Sequence, residues 1–106
     1  MAAYLIVHRR EILDPEQLKE YSRGINESIE RFGGKVVVRA DRFEVLEGEW
    51  HPGRKHDDSE PERLTVIAFP DMPALKTWYQ SDDYARLKSI RQKSAVTDVA
   101  AVEGLA

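Results

Sequence analysis

The sequence predicts an α+β domain of the ferredoxin-like class, an antiparallel sheet with its helices on one face. Three observations point to that class: short apolar runs typical of strands, segments that begin with helix-capping residues, and an element order of β-α-β-β-α-β. Short connections and right-handed crossovers fold this order into a split βαβ sheet. At 106 residues the chain is expected to form a single domain, residues 1–106.

The first strand and the first helix are both clearly marked. Residues 3–9 form a short apolar run, suited to a strand that is covered on both faces. Asp14 and Pro15 predict a helix start, because Asp accepts a backbone N–H and Pro fits the first helical position. Gly33-Gly34 predicts the helix end. Between them runs an apolar stripe at helical spacing, formed by Leu18, Tyr21, Ile25, Ile29 and Phe32.

Two strands and a polar loop follow the helix. Residues 35–39 and 43–47 are rich in β-branched and aromatic side chains and predict neighbouring strands joined by a tight connection. Residues 51–62 are polar, contain two Pro and one Gly, and predict a mobile loop.

The second half of the chain predicts a strand, two helical pieces and a last strand. Pro70 stops the strand, Asp71 caps the first helical piece, and Ser81 restarts the chain into the second. The predicted ranges are 64–69, 73–79, 83–94 and 97–103.

The composition excludes several classes of protein. The net charge is −3 with both signs mixed along the chain, whereas nucleic-acid-binding modules concentrate Lys and Arg on one face, so we expect no nucleic-acid partner. No apolar run approaches the roughly 18 residues of a membrane span, and we expect neither a signal peptide nor a membrane partner. The lack of Cys removes disulfides, thiolate chemistry and Cys-based zinc sites, which fits a cytoplasmic protein.

One face of the predicted sheet needs a cover. Helices on one face leave the other bare, and the strands do not alternate apolar with polar residues as a water-facing sheet would. A homodimer packed sheet against sheet would bury the bare face, and a domain this small gains stability from such a cover. We therefore expect a homodimer through the sheet faces.

With these elements placed, the chain resembles a bacterial family known as domain of unknown function 1330, within the dimeric α+β-barrel superfamily. The resemblance implies a ferredoxin-like subunit whose sheet forms a barrel with that of a second subunit, and it implies no established activity. The residues that carry it run in order along nearly the whole chain: Tyr4-Leu-Ile-Val7, Asp14-Pro-Glu16, Gly33-Gly34, Arg39, Val45-Leu-Glu-Gly48, Trp50, Phe69-Pro70, Trp78-Tyr79, Ser81, Tyr84, Arg91 and Val102-Glu-Gly104.

Two departures from the family pattern bear on function. The family usually has an acidic residue just before Phe-Pro, where this chain has Ala68, so any acid–base role of that carboxylate is lost here. The segment between Trp50 and Leu64 also looks longer than is typical, and such an insertion is expected beside the barrel mouth.

Arg91 and Tyr84 are the first candidate pair for a site. They lie seven residues apart on one predicted helix, two turns along the same face. A guanidinium is an always-charged fork suited to carboxylates or developing oxyanions, and a phenol can donate to a bound oxygen. The structural alternative is that Arg91 pairs with an acidic residue and that Tyr84 is a core ring with its hydroxyl at the surface.

His8 is the second candidate. It shares a strand face with Tyr4 and Ile6 and could act as a general base, since its unperturbed pKa lies near neutrality. The alternative is a histidine that bonds a backbone carbonyl at the strand end.

Arg39, Glu47 and Trp50 complete the candidate ligand-binding residues. Arg39 and Glu47 come from neighbouring predicted strands and could form a cross-strand ion pair. If both point into the barrel, they become polar anchors in an apolar cavity. Trp50 could line that cavity or fold over the loop.

We predict no metal and no cofactor. His51, His56, Asp57 and Asp58 contain nitrogen and oxygen ligands, but their spacing matches no established metal site. A Gly-rich phosphate loop and a dinucleotide fingerprint are both missing from the sequence.

The preferred interpretation is a homodimer with a small pocket per subunit, between the sheet face and the second helical region. The expected ligand is a small, partly apolar or carboxylated molecule held by Arg91, Tyr84 and His8. Superfamily analogy allows cofactor-independent chemistry, with His8 moving a proton, but fold does not imply function and enzymatic activity stays open. The alternatives are a ligand-sensing or carrier module without turnover and a structural interaction protein with a packed barrel.

Overall fold

The computed structural model describes residues 1–48, 50 and 62–105. Most of the predicted loop 51–62 lies outside the described residues. The described residues form four strands and three helices: β1 (Ala3–Ile12), α1 (Pro15–Arg31), β2 (Lys35–Ala40), β3 (Arg63–Phe69), α2 (Met72–Tyr79), α3 (Asp82–Ser94) and β4 (Ala95–Glu103).

The four strands form one sheet in the order β2-β3-β1-β4, with every neighbouring pair antiparallel. β1 lies in the centre, where Leu5 is opposite Ile67 of β3 and Ala101 of β4. This order, with helices in the two crossovers, is the ferredoxin-like arrangement and confirms the predicted fold class.

The strand predicted at residues 43–47 is not formed, which leaves the four strands that the β-α-β-β-α-β order requires. β2 pairs with β3 instead, so that Val36 is opposite Ile67 in the core. Residues 43–47 have no regular secondary structure, and Leu46 is 84% exposed. The predicted hairpin of residues 35–39 and 43–47 does not form, because burial against the core, more than local strand propensity, decides which strands pair.

All three helices begin at the capping residues that the sequence predicts. Asp14, Asp71 and Ser81 each accept a hydrogen bond from the backbone N–H three residues later, at 3.2, 2.8 and 3.1 Å. These bonds satisfy donors that the first turn of a helix leaves without partners.

The core lies between the helices and one face of the sheet. Its largest buried side chains are Trp78, Tyr84 and Phe69, and the rings of Trp78 and Phe69 are 5.4 Å apart. Gly33 ends the α1 region with a φ of 83°, as predicted. Gly34 allows a close approach, because a Cβ there would lie 2.7 Å from the Phe69 ring.

The other face of the sheet is called the open face below, because no described helix packs on it. It is lined by alternate strand residues, and many of them are apolar. Val38 and Val102, on the two edge strands of the described sheet, are 41% and 40% exposed. The residues of the open face are Tyr4, Ile6, His8, Val38, Leu64, Val66, Ala68, Asp98, Ala100 and Val102.

Candidate functional site

A cavity of about 110 Å³ lies between the sheet and α1. Apolar protein cavities of about 150 Å³ bind benzene, so this space suits one small organic molecule. Much of its wall is apolar, contributed by Val7, Leu18, Ile25, Ile29, Val36 and Ile67. The polar part of the wall contains four arginines and four hydroxyl groups, from Arg9, Arg39, Arg63, Arg91, Tyr21, Ser22, Thr65 and Thr97.

Arg91 reaches this cavity from α3 and is only 6% exposed. Its Nε donates to the hydroxyl of Tyr84 at 3.3 Å, so the predicted pairing of the two residues along one helix face is present. None of the described residues brings a carboxylate within ion-pair distance of Arg91. The structural alternative for Arg91, an ion pair with an acidic residue, is therefore not observed in the described part of the chain.

Tyr84 connects Arg91 to a second tyrosine. Tyr84 is buried against Trp78, with ring centroids 4.0 Å apart, and its hydroxyl lies 3.0 Å from that of Tyr21. Tyr21 lines the cavity, whereas Tyr84 lies behind it. The predicted contact of Tyr84 with a ligand is thus replaced by a contact with the two residues that line the cavity.

In the hydrogen-bonded network of Arg91, Tyr84 and Tyr21, both groups that line the cavity keep their protons at neutral pH. Burial raises the pKa of Tyr21 well above its ordinary value, and Tyr84 raises it further, although Arg91 opposes the change. Burial alone would lower the pKa of Arg91, but Tyr84, Tyr21 and Tyr79 together hold it above its ordinary value. The cavity therefore presents a neutral phenol and a positively charged guanidinium.

Arg39 lines the cavity from β2, but it does not face Glu47. Its ladder partner is Thr65, and its Nη2 donates to Oδ1 of Asn26 at 3.1 Å. Glu47 is exposed, beyond the end of β2. The predicted cross-strand pair is wrong because the strand that would have carried Glu47 is not formed.

His8 lies on the open face, on the other side of the sheet from Arg91. Its neighbours Val7 and Arg9 line the cavity, and strand alternation turns His8 away from it. The single pocket predicted for His8 and Arg91 is therefore not formed. Strand alternation alone predicts this separation, because His8 and the cavity-lining residues Val7 and Arg9 point to opposite faces of β1.

The open face holds its own polar cluster around His8. Nε2 of His8 and Oε2 of Glu62 lie 3.0 Å apart, and both side chains are largely buried. The rings of Trp50 and Phe43 approach His8 edge-on, with centroids at 5.2 and 6.0 Å. Trp50 thus lies beside His8, whereas the cavity wall has no contribution from it. Ala68, the departure from the family pattern, also lies on this face, opposite Tyr4.

Sequence reasoning missed the arginines of the central strands. Arg9 and Arg63 are ladder partners on β1 and β3, and both line the cavity. Nε of Arg63 donates to Asp41, which lowers the pKa of the Asp41 carboxyl. Burial and the neighbouring Arg63 lower the pKa of Arg9. The available signal was position, since both arginines continue the alternate strand positions that face the core.

The sequence predicts neither a metal site nor a membrane span, and the structure bears on both only within the described residues. The four residues considered as metal ligands, His51, His56, Asp57 and Asp58, lie outside the described residues. Within the described ranges, no group of three or more His, Cys, Asp or Glu side chains could hold a metal ion. No helix there is long and apolar enough to cross a membrane.

Solved structures of several proteins are similar to this fold. RPA0582, described as a protein of unknown function from Rhodopseudomonas palustris, is 21% identical, with a TM-score of 0.72 over 99% of this chain and 83% of that chain. SnoaB, described as a cofactor-independent oxygenase from Streptomyces nogalater, is 8% identical, with a TM-score of 0.66 over 99% and 94%. At3g17210 from Arabidopsis thaliana is 10% identical, with a TM-score of 0.67 over 98% and 96%. Identities this low establish the fold alone.

The family follows from the sequence itself. No curated protein matches the chain. The family model described as "Domain of unknown function (DUF1330)" matches residues 2–105, which is nearly the whole chain. The structural neighbours share the ferredoxin-like α+β fold that the sequence predicts. The chain therefore belongs to the DUF1330 family.

Proposed function

We propose that this protein binds a small, partly apolar carboxylic acid in the cavity between the sheet and α1. The observation that carries the proposal is the buried guanidinium of Arg91 in a cavity with apolar walls. Ligand sites have this composition, with apolar lining and a few polar groups that fix the ligand's orientation.

Arg91 is suited to hold the carboxylate. Its hydrogen bond to Tyr84 uses Nε, and its terminal nitrogens make no hydrogen bond to the described residues. A buried charge without a counter-charge is costly, and a bound carboxylate would supply one. Two parallel N–H···O bonds from a guanidinium to a carboxylate are also among the stronger hydrogen bonds in proteins.

The geometry supports binding better than proton transfer. His8, the predicted base, lies on the open face and cannot reach a ligand beside Arg91. Tyr21, which lines the cavity, has a raised pKa and keeps its proton at neutral pH. A binding module is therefore the form of the proposal that the described residues support.

The proposed assembly is a homodimer through the open face. Its support is the apolar character of that face, where Ile6, Val66 and Val38 form a continuous row across three strands. Partly exposed apolar patches of this kind mark interaction surfaces. The cytoplasmic location stays a prediction from the Cys-free composition.

The test is a binding titration with butyrate, valerate and benzoate, combined with native mass spectrometry of the purified protein. We expect at least one acid to bind, and Arg91→Met to weaken it by roughly 10- to 100-fold, the effect of losing a charged hydrogen bond. Arg86→Met is the matched control, because Arg86 is an exposed arginine of the same helix outside the cavity.

Two outcomes would refute the proposal. One is that none of the three acids binds at millimolar concentration and that the native protein carries no extra mass. The other is that Arg91→Met and Arg86→Met, both folded by circular dichroism, bind the acids as the unmodified protein does.

A further inference from the structure

The cavity holds more positive charge than one carboxylate requires. Its four arginines come from four different elements: Arg9 from β1, Arg39 from β2, Arg63 from β3 and Arg91 from α3. A cleft lined by charges of one sign attracts ions of the opposite sign, so guanidinium groups around one small space favour an anionic occupant.

Two of these arginines have no carboxylate partner among the described residues. Arg63 is paired with Asp41, a carboxylate whose pKa Arg9 and Arg39 also lower. Within the described ranges, the side chain of Arg39 bonds only to the neutral amide of Asn26, and that of Arg91 only to the hydroxyl of Tyr84.

Arg39 and Arg91 line the cavity from different elements and differ in exposure. Arg39 is exposed on the edge strand β2, whereas Arg91 is buried on α3. The neighbours that set the pKa of Arg91 are three tyrosines, while Asp41 has its pKa lowered by Arg63, Arg9 and Arg39. The apolar side chains of Val36, Ile29 and Ile25 belong to the same wall.

The hydroxyl group of Thr97 is a further polar group in the cavity wall that could bind a ligand. It lines the cavity at the start of β4, opposite Arg9 in the ladder. Its Oγ1 is buried, and the described structure gives it no hydrogen-bond partner. Buried hydroxyl groups are nearly always hydrogen-bonded, so a ligand oxygen at this end of the cavity would satisfy Thr97.

From this arrangement we propose that the ligand is a dianion with two acidic groups joined by a short apolar segment, of which one binds Arg91 and the other binds Arg39. The inference rests on the proposed function and adds the second acidic group to it. A short dicarboxylate has this chemistry. A compact dianion such as phosphate shares the charge but not the two ends or the apolar middle.

The test compares succinate with butyrate, which has the same carbon chain and only one carboxylate, and with inorganic phosphate. Calorimetric titrations are made at constant ionic strength, since exposed charges are screened by salt. We expect succinate to bind at least about 10-fold more tightly than butyrate, the difference made by one charged hydrogen-bonded contact. Phosphate should bind more weakly than succinate.

Substitution of each arginine tests which acidic group of the ligand it binds. Arg39→Met should weaken succinate by about 10-fold and butyrate far less, whereas Arg91→Met should weaken both acids. Arg86→Met again serves as the control for removing a surface arginine. Circular dichroism and thermal unfolding confirm that each variant is folded, and Arg39 is exposed enough for its removal to leave the core unchanged.

The results distinguish a ligand with one acidic group from a ligand with two. If butyrate binds as tightly as succinate, the carboxylate site stands and the second acidic group is refuted. Equal loss of both acids in Arg39→Met, or phosphate binding tighter than succinate, also refutes the two-ended ligand. If neither succinate nor any of butyrate, valerate and benzoate binds, the proposed function itself fails.

Discussion

Tyr21 joins the cavity to the buried hydroxyl of Tyr84, and its raised pKa makes the stability of the fold depend on alkaline pH. The unfolded chain loses the Tyr21 proton near pH 10, its ordinary value, whereas the folded protein keeps it. The contribution of Tyr21 is therefore complete below pH 10 and is lost as pH rises toward the folded pKa. One such group changes the free energy of unfolding by up to about 1.4 kcal/mol per pH unit.

We expect the free energy of unfolding to fall with pH above about 10, and to fall less steeply in Tyr21→Phe. The measurement is urea unfolding at a series of alkaline pH values. Tyr4→Phe is the control, because Tyr4 lies on the open face, apart from the Tyr21–Tyr84–Arg91 network. An unchanged slope in Tyr21→Phe would show that Tyr21 does not hold its proton more firmly in the folded state.

Gly34 is required for packing. A Cβ at this position would meet the Phe69 ring at 2.7 Å and Ile29 Cγ2 at 2.8 Å, both in the core. We expect Gly34→Ala to lower the free energy of unfolding by about 1–3 kcal/mol, the usual cost of overpacking.

A second glycine gives the matched control for that change. Gly24 lies inside α1, and a Cβ there would meet only the side chain of Leu87, at 3.2 Å. Alanine favours a helix over glycine by about 1 kcal/mol, so Gly24→Ala should unfold at the same urea concentration or a higher one. Equal loss in both variants would mean that close packing at Gly34 is not the cause.

At the scale of elements, Ser28 links α1 to α2 and α3. Its hydroxyl accepts from Nε1 of Trp78 at 3.1 Å and donates to Oδ2 of Asp83 at 2.7 Å. Ser28 and Trp78 are fully buried, so the indole N–H has no access to water as a replacement partner.

We expect Ser28→Ala to cost about 1–3 kcal/mol of unfolding free energy, because it leaves the buried N–H of Trp78 without an acceptor. Ser22→Ala is the comparison, since Ser22 is an exposed serine of the same helix whose hydroxyl bonds the carbonyl of Leu18. Chemical denaturation monitored by Trp fluorescence reports both. If Ser28→Ala is as stable as Ser22→Ala, the helix link contributes nothing to folding.

The sequence predicts elements well where the determining chemistry is local. Asp14, Asp71 and Ser81 each cap a helix because the donor they satisfy is only three residues away. The strand predicted at 43–47 does not form, because β3, which is far along the chain, pairs with the edge of β2 that this strand would have used.

The same distinction explains which parts of the site could be predicted. Arg91 and Tyr84 share one helix, and the helical period alone brings them together. Strand alternation predicts the correct face for His8, with Tyr4 and Ile6, but the face on which the helices pack decides which cavity it can reach. Arg9 and Arg63 meet through the register of β1 and β3, which single-strand patterns do not reveal.

At the scale of the whole molecule, the helix side of the sheet is divided along the strands. Ala3, Leu5, Ile67 and Phe69 form the apolar end with the core. Arg9, Arg63 and Thr97 form the polar end, in neighbouring rows of the same ladders. One end of the sheet thus stabilises the fold while the other contributes the walls of a cavity.

The open face provides the last prediction, the state of assembly. Val66 lies at its centre, opposite Ile6 on β1 and Val38 on β2. We expect the protein to be a dimer at micromolar concentration by light scattering coupled to size exclusion. Val66→Lys should weaken that dimer by at least about 100-fold, because the change buries an ammonium group in an apolar interface.

Thr77→Lys adds the same charge at an exposed position of α2, on the other side of the molecule, and should remain dimeric. A monomeric unmodified protein would refute association through the open face, and so would a Val66→Lys variant that dimerises as tightly as Thr77→Lys. The cavity is on the helix side of the sheet and is built from one chain, so we expect Val66→Lys to retain the carboxylate binding that Arg91→Met loses. Measuring both variants for assembly and for binding would therefore show that the two faces of the sheet have separate roles.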